Sequence, residues 1–193
     1  MMEVVNNVSL LSIILAGAFL IRERERGTIE HLLVMPVTPT EIMIGKMWPT
    51  ALVVFVAALL AIVVVIRIWL AIPVAGSLWL LMLGLALQLF ATTSLGILLA
   101  TLAGSMPQFG LLLMLVLFPL QVLAGGTTPV ESMPDFVRIP MMAAPDTHFV
   151  ALARAVLFRG AGLEVIWPQI LALVAIGLAF FVLSRWRFRR FLR

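Results

Sequence analysis

The sequence predicts an all-α integral membrane protein, and three observations predict it. Hydrophobic residues fill 63% of the 193 positions and charged residues only 11%, with a mean hydropathy of +1.19, far from the balance of water-soluble domains. The apolar residues gather in nearly uncharged stretches, most of them close to the roughly 20 residues that cross about 30 Å of hydrocarbon. Nine of the thirteen Lys and Arg residues fall in two clusters beside such stretches, which is a topology signal rather than a nucleic-acid stripe.

In lipid each segment must satisfy its own backbone amides, so every stretch reads as a helix. The five are Val4–Ile21, Met47–Ile66, Leu78–Ala103, Phe109–Ala124 and Val165–Ser184. They make one transmembrane domain over residues 1–193, with little chain left for a separate globular unit. The first stretch has no basic leader and no small-residue cleavage site, so it is expected to be a retained span. The fourth is short and must lean on its neighbours.

Counting Lys and Arg between the stretches gives nine in one set of alternate connections against four in the other. The positive-inside rule therefore predicts a cytoplasmic 22–46 connection, a cytoplasmic C-terminus and an N-terminus outside.

The connection at 22–46 is more than an anchor. "RERERGTIE" holds six charged residues in nine positions. "TIEHLLVM" then places Ile29, Leu32 and Leu33 on one face, with Glu30 and His31 elsewhere, giving two amphipathic turns before Pro36 ends them. Thr38, Pro39 and Glu41 have the spacing of a capping box with proline at the first helical position, so a new helix starts there. It runs through Gly45, Lys46 and Trp48 into the second apolar stretch. Lys46 can snorkel to the interface, Trp48 suits the headgroup layer, and Pro49 bends the helix. A pure anchor needs neither an amphipathic helix nor a rigid Pro-x-x-Pro break; a proline-stiffened cytoplasmic knob is suited to docking.

The outer connection 125–164 is too long for a turn. In "FVALARAVLF" the residues Phe149, Leu152, Ala153, Val156 and Leu157 share a face, which predicts one or two short helices dipping into the outer leaflet.

Several chemistries are excluded. The one Gly-Lys pair, Gly45-Lys46, is followed by Met47, so no phosphate loop exists and this chain is not an ATPase. Two histidines without H-E-x-x-H, no carboxylate cluster in a span and no cysteine leave no metal or thiol site. No G-x-S-x-G occurs, and no catalytic residue is assigned.

Polar residues in the apolar stretches are few: Asn6, Asn7, Ser9, Ser12, Gln88, Thr92, Thr93, Ser94 and Gln121. They read either as interhelical hydrogen bonds of about 0.6 kcal/mol each or, for Gln88, Thr92, Thr93 and Gln121, as the lining of a substrate path. Gly96, Ala100 and Gly104 form a small-residue stripe for close helix approach. Spans without charge argue against an ion-driven carrier, whose relays need intramembrane ionisable groups, and suit a hydrophobic or amphipathic cargo.

"ERGTIEHLLVMPVTPTEIMIGK" resembles the cytoplasmic coupling segment of type-2 ABC exporter permeases, with Glu25, Gly27, Thr28, Glu30, Leu32, Pro36, Glu41, Gly45 and Lys46 on the family pattern E-x-G-T-x-E-x-L-x-x-x-P then E-x-x-x-G-K. "GGTTPVESMPDFVRIPMMAAPDTHFVALARAVLFRGAGLEVIWPQI" is similar to the family's outer re-entrant helical pair, with Pro129, Met133, Pro134, Pro145, Arg154, Gly160 and Trp167 at matching places. The resemblance covers nearly the whole chain. It implies a family fold of six spans, of which this chain resembles the C-terminal five-span portion that follows a first span and an extracytoplasmic domain. It also implies a permease dimer, with a second copy or a homologue, in a bacterial inner membrane. A separate ATPase subunit would bind ATP and Mg²⁺ and grip the coupling segment, Leu33 joining Leu32 in its groove. This chain itself is expected to hold no cofactor. The expected cargo is a drug or lipid; the rival expectation is a truncated or non-transporting membrane scaffold. The lipid bilayer is the other partner, and no nucleic acid is expected.

Overall fold

The computed structural model describes residues 2–26, 38–64, 76–123 and 142–191. Six helices account for nearly all of them: α1 Met2–Glu25, α2 Pro39–Val63, α3 Leu78–Leu102, α4 Met106–Leu123, α5 Pro145–Arg159 and α6 Leu163–Phe191. No strand occurs among the described residues. Four helices are long and apolar enough to cross a membrane: Glu3–Glu25, Thr40–Ala61, Leu78–Leu102 and Leu163–Phe188. The fourth predicted span, Phe109–Ala124, falls on α4, Met106–Leu123, whose part with described side chains, Met106–Pro119, is a shorter apolar helix.

Helix ends differ from the apolar stretches in an instructive way. α1 continues one turn past Ile21 through Arg22–Glu25, and α6 runs past Ser184 through its basic tail to Phe191. Straight-chain charged residues are good helix formers, and at the end of a span they keep the backbone bonded while their heads reach water. α2 begins at the predicted cap. Thr38 Oγ1 accepts from the Glu41 amide at 3.3 Å, and the Glu41 carboxylate accepts from the Thr38 amide at 2.6 Å, so two otherwise orphaned donors are satisfied reciprocally. The helix continues through Pro49.

α3 is the central element and packs against all five others. Its approach to α1 is close because Gly17 and Gly96 face each other. A Cβ on Gly96 would lie 2.5 Å from the Ile13 carbonyl oxygen, and one on Gly17 would lie 2.9 Å from that of Gly96. Of the predicted small-residue stripe, Gly96 serves this contact and Ala100 is fully buried. Gly104 does not: it is exposed in the α3–α4 turn, where its amide donates to Gln108 Oε1 at 2.6 Å.

α5 is the amphipathic helix expected in the long connection, and the predicted face of Phe149, Leu152, Ala153, Val156 and Leu157 is buried throughout. It lies antiparallel to α3: Gly76 abuts Val156, Gly84 abuts Leu152, and Gln88 meets Asp146. Gly160 ends α5 in the left-handed region, φ 61°, which glycine adopts without a Cβ clash. The Ala161 amide closes the turn on the Ala155 carbonyl at 3.0 Å, and the chain reverses into α6. The start of α5 is therefore its deepest point. Gln88 lies ten residues into α3, about 15 Å at 1.5 Å per residue, which is about half of a hydrocarbon core.

Two apolar clusters fill the bundle. One joins Val5, Val8, Leu81, Leu85 and Leu89 to the buried face of α5; the other joins Ile13, Ile21, Met47, Ile97 and Phe109 toward the opposite end. The outward faces of α2, α4 and α6 are also apolar, with Leu52, Val56, Leu60, Leu115, Phe118, Leu171 and Val182 exposed. Contiguous apolar surface of that extent belongs against lipid.

Candidate functional site

Between the two apolar clusters lies a layer of polar side chains from three helices: Ser9 and Ser12 of α1, Gln88 and Thr92 of α3, and Asp146 in the first turn of α5. Gln88, Ser12 and Thr92 are fully buried and Asp146 is 5% exposed. Ser9 Oγ and Gln88 Nε2 both donate to Asp146 Oδ1. Gln88 Nε2 also donates to Ser9 Oγ at 3.0 Å. The Ser12 hydroxyl has the Ser9 carbonyl at 2.9 Å and Thr92 Oγ1 at 2.7 Å as acceptors, while Thr92 Oγ1 returns its own proton to the Gln88 carbonyl at 3.0 Å.

The spacing creates this layer. Ser9 and Ser12 are three apart on α1, and Gln88 and Thr92 four apart on α3, so each pair shares one helix face. Asp146 falls three residues before Phe149, on the apolar stripe of α5 itself, so burying that stripe carries the carboxyl inward. Burial pushes the Asp146 carboxyl above its ordinary value, against the lowering by its hydrogen bonds from Ser9 and Gln88. The α5 dipole favours a carboxylate at its N-terminus by about 0.3–2 kcal/mol, whereas stripping water from an unpaired one costs on the order of several kcal/mol. Desolvation wins. The expectation of an interior without ionisable groups is thus corrected: the spans carry none, but the connection between them inserts one.

A second polar constellation ties the other, basic end of the bundle. Lys46 of α2 pairs with Glu23 of α1. The Glu25 carboxylate accepts from the Met106 amide at 2.9 Å, and Arg24 donates to the Ala103 carbonyl at 3.2 Å. Lys46, long enough to snorkel, stays partly exposed and also has a partner on a second helix. α1, α2 and the α3–α4 turn are thereby joined on both sides of residues 27–37.

Other predicted site residues sort as follows. Gly27, Thr28, Glu30, Leu32, Leu33 and Pro36 lie outside the described residues, so the predicted amphipathic turns do too. Glu41 caps α2, and Gly45 is exposed with nothing within 4 Å of a Cβ. Gln88 and Thr92 join the polar layer. Thr93 bonds its own helix at Leu89 O, 2.6 Å, and turns toward a lateral apolar groove of about 530 Å³ lined by Trp48, Leu52, Phe55, Phe90 and Phe181. The Gln121 side chain lies outside the described residues, as does the first half of the expected outer helical pair.

Fold and site together define a polytopic helical membrane protein in which a short helix is plugged into a polar seam between spans. The chain belongs to the family described as ABC-2 family transporter protein, which matches residues 7–186. It is 56% identical over 189 residues to "Inner membrane transport permease YhhJ" of Escherichia coli (strain K12), covering 98% of this chain and 50% of that protein, and equally to the protein of that name from Shigella flexneri. It is 31% identical over 155 residues to "Probable multidrug ABC transporter permease YbhR" of Escherichia coli (strain K12), covering 80% of this chain and 42% of that protein. The chain spans about half the length of the curated relatives it matches. No solved structure matches it significantly.

Proposed function

We propose that this chain forms the membrane-spanning part of a permease subunit in an ATP-driven exporter, seated in a bacterial inner membrane with its basic end cytoplasmic and the α5–α6 turn outside. α4 crosses the membrane as well, which makes five spans. Residues 22–46 form the coupling segment that a separate ATPase subunit grips, that subunit binding ATP and Mg²⁺. A second permease copy or a homologue completes the transporter, and the cargo is a hydrophobic or amphipathic drug or lipid.

The observation that carries this reading is the clamp formed by Glu23, Glu25 and Lys46. Closure of the ATPase would push on residues 28–35. A push on an unsupported loop is absorbed by the loop; a push on one whose two bases are pinned together moves the helices that bear it. The capped, proline-led start of α2 stiffens the same path, and the pair Glu25–Met106 extends it to the α3–α4 turn. Two bundle states with different contacts at this end suffice for transport. Leu32 and Leu33 would fill the ATPase groove, Glu30 would orient the contact, and Pro36 and Pro39 would keep the segment stiff. The apolar groove beside Trp48 and Phe90 supports an oily cargo, and the names of the relatives support transport and the inner membrane.

The test is stimulation of the ATPase in the complete transporter. Leu32→Asp and Leu33→Asp are expected to abolish stimulation and weaken co-purification of the ATPase while the permease still inserts. Unchanged stimulation together with unchanged co-purification would remove the assignment.

A further inference from the structure

One atom of the polar layer has no partner: Gln88 Oε1 is buried and unbonded. A carboxamide oxygen only accepts, so what it lacks is a proton donor. The layer's own hydroxyls have none to spare; the Thr147 hydroxyl, on the next residue, is also buried without a partner, but Thr147 lies off the buried stripe of α5. Ser9 gives its proton to Asp146, Ser12 gives its own to the Ser9 carbonyl or Thr92, and Thr92 gives its own to the Gln88 carbonyl. Both directions of the Gln88 amine are used as well, toward Ser9 and Asp146. Flipping the amide does not help, since its oxygen would then oppose Asp146 Oδ1, two acceptors face to face with nothing between them.

No counter-charge settles the matter in favour of a carboxylate. α3 contains no charged residue, α1 none between Glu3 and Arg22, and α6 none between Glu164 and Arg185. On α5 itself, the His148 ring is bonded to the Met142 carbonyl at 2.8 Å, and Arg154, two turns on, is exposed.

We propose that this layer is a proton-binding site: Asp146 holds a proton while α5 is seated between α1 and α3, and releases it when α5 lifts. In the seated state Oδ1 accepts from Ser9 and Gln88, and the Oδ2–H donates to Gln88 Oε1, an acid–amide pair in which each partner both gives and receives. On lifting, the Oδ2–H bond breaks heterolytically, the proton passes to entering water, and a solvated carboxylate remains. Seating of α5 thereby takes up one proton, whatever cargo the chain serves.

The sequence makes the test clean, because the chain has two aspartates, Asp135 and Asp146, and no cysteine. The full chain, labelled with ¹³C in the aspartate side-chain carboxyl and placed in lipid nanodiscs at neutral pH, is read by infrared spectroscopy. The expected result is one protonated-acid C=O stretch that survives Asp135→Asn and disappears in the near-isosteric Asp146→Asn. Two ionised carboxylates, or a protonated signal that persists in Asp146→Asn, overturns the proposal.

Release is read separately with Ala153→Cys on the buried face and Ala151→Cys on the exposed face of α5, each labelled with a hydrophilic maleimide. The ratio of their labelling rates is expected to rise severalfold as pH is raised with Asp146 present, and to stay flat in Asp146→Asn. A flat ratio in both backgrounds, or the same rise in both, overturns the coupling of proton release to lifting.

Discussion

Ser9 and Asp146 are 137 positions apart in the chain, yet the hydroxyl of one donates to the carboxyl of the other at the middle of the bundle. This contact fixes how deep α5 sits, because the polar ends must meet at the level of Gln88 while Leu152 packs on Gly84.

Replacing Gln88 with Leu removes the amide that links α3 to Asp146 and leaves the carboxyl with Ser9 alone. Stability is expected to fall by about 1–3 kcal/mol, the cost of an unsatisfied buried polar group. Thermal unfolding in detergent or nanodiscs measures it. Asp146→Asn, which keeps a neutral polar group in place, should cost much less than Gln88→Leu; the reverse order would show that the carboxylate charge is what holds α5.

The pH dependence has a definite sign. Burial raises the Asp146 value in the folded state, so above the ordinary aspartate range the native state holds a proton that the unfolded state has lost. The stabilisation is fully present below the unfolded value, shrinks as pH rises, and is gone once pH passes the folded-state value. Relative to Asp146→Asn, the parent chain should lose stability on raising pH, with a slope of at most about 1.4 kcal/mol per pH unit for one proton. Parallel unfolding curves across that range would contradict this.

Gly96 and Gly45 should respond oppositely to substitution. Gly96→Val places a side chain against the α1 backbone at Ile13, forcing α1 and α3 apart at a cost of about 1–3 kcal/mol or more. Gly45→Ala meets nothing and removes a flexible residue from a helix, so stability should rise by up to about 1 kcal/mol. Parallel thermal melts decide both. If Gly45→Ala lowers ATPase stimulation in the assembled transporter while raising stability, the partner packs directly on that residue.

Lys46→Met breaks the pair with Glu23. Both side chains are partly exposed, 33% and 25%, so the stability change should stay below about 1 kcal/mol. ATPase stimulation should fall severalfold, because the two bases of the coupling segment are no longer tied. The exchanged pair Glu23→Lys with Lys46→Glu should restore part of it, which loss of an unrelated lysine function would not.

Local features were legible where local rules govern. The capping box at Thr38–Glu41 and the buried stripe of α5 follow from residue spacing, and both are seen. Gln88 and Thr92 were legible as a polar face of α3, though not what they face. Lys46 is legible as an interfacial side chain, but its pairing with Glu23 is not, because that partner lies on a different helix. Asp146 left a usable trace, an acid on the apolar stripe of an amphipathic helix three residues before Phe149, but it lay in a connection rather than a span, where charges are ordinary.

The sequence by itself determined that the chain is helical and membrane-bound, which end of the bundle is basic, and where α2 and α5 begin, since these depend on hydrophobic content, helical period and caps that act within a few residues. Only the tertiary structure decided that Asp146 is drawn to mid-depth and that Glu23 meets Lys46. Both depend on which helix faces which across the bundle, and that choice is made by the packing of α3 against all its neighbours at once, a many-body condition that no single segment encodes.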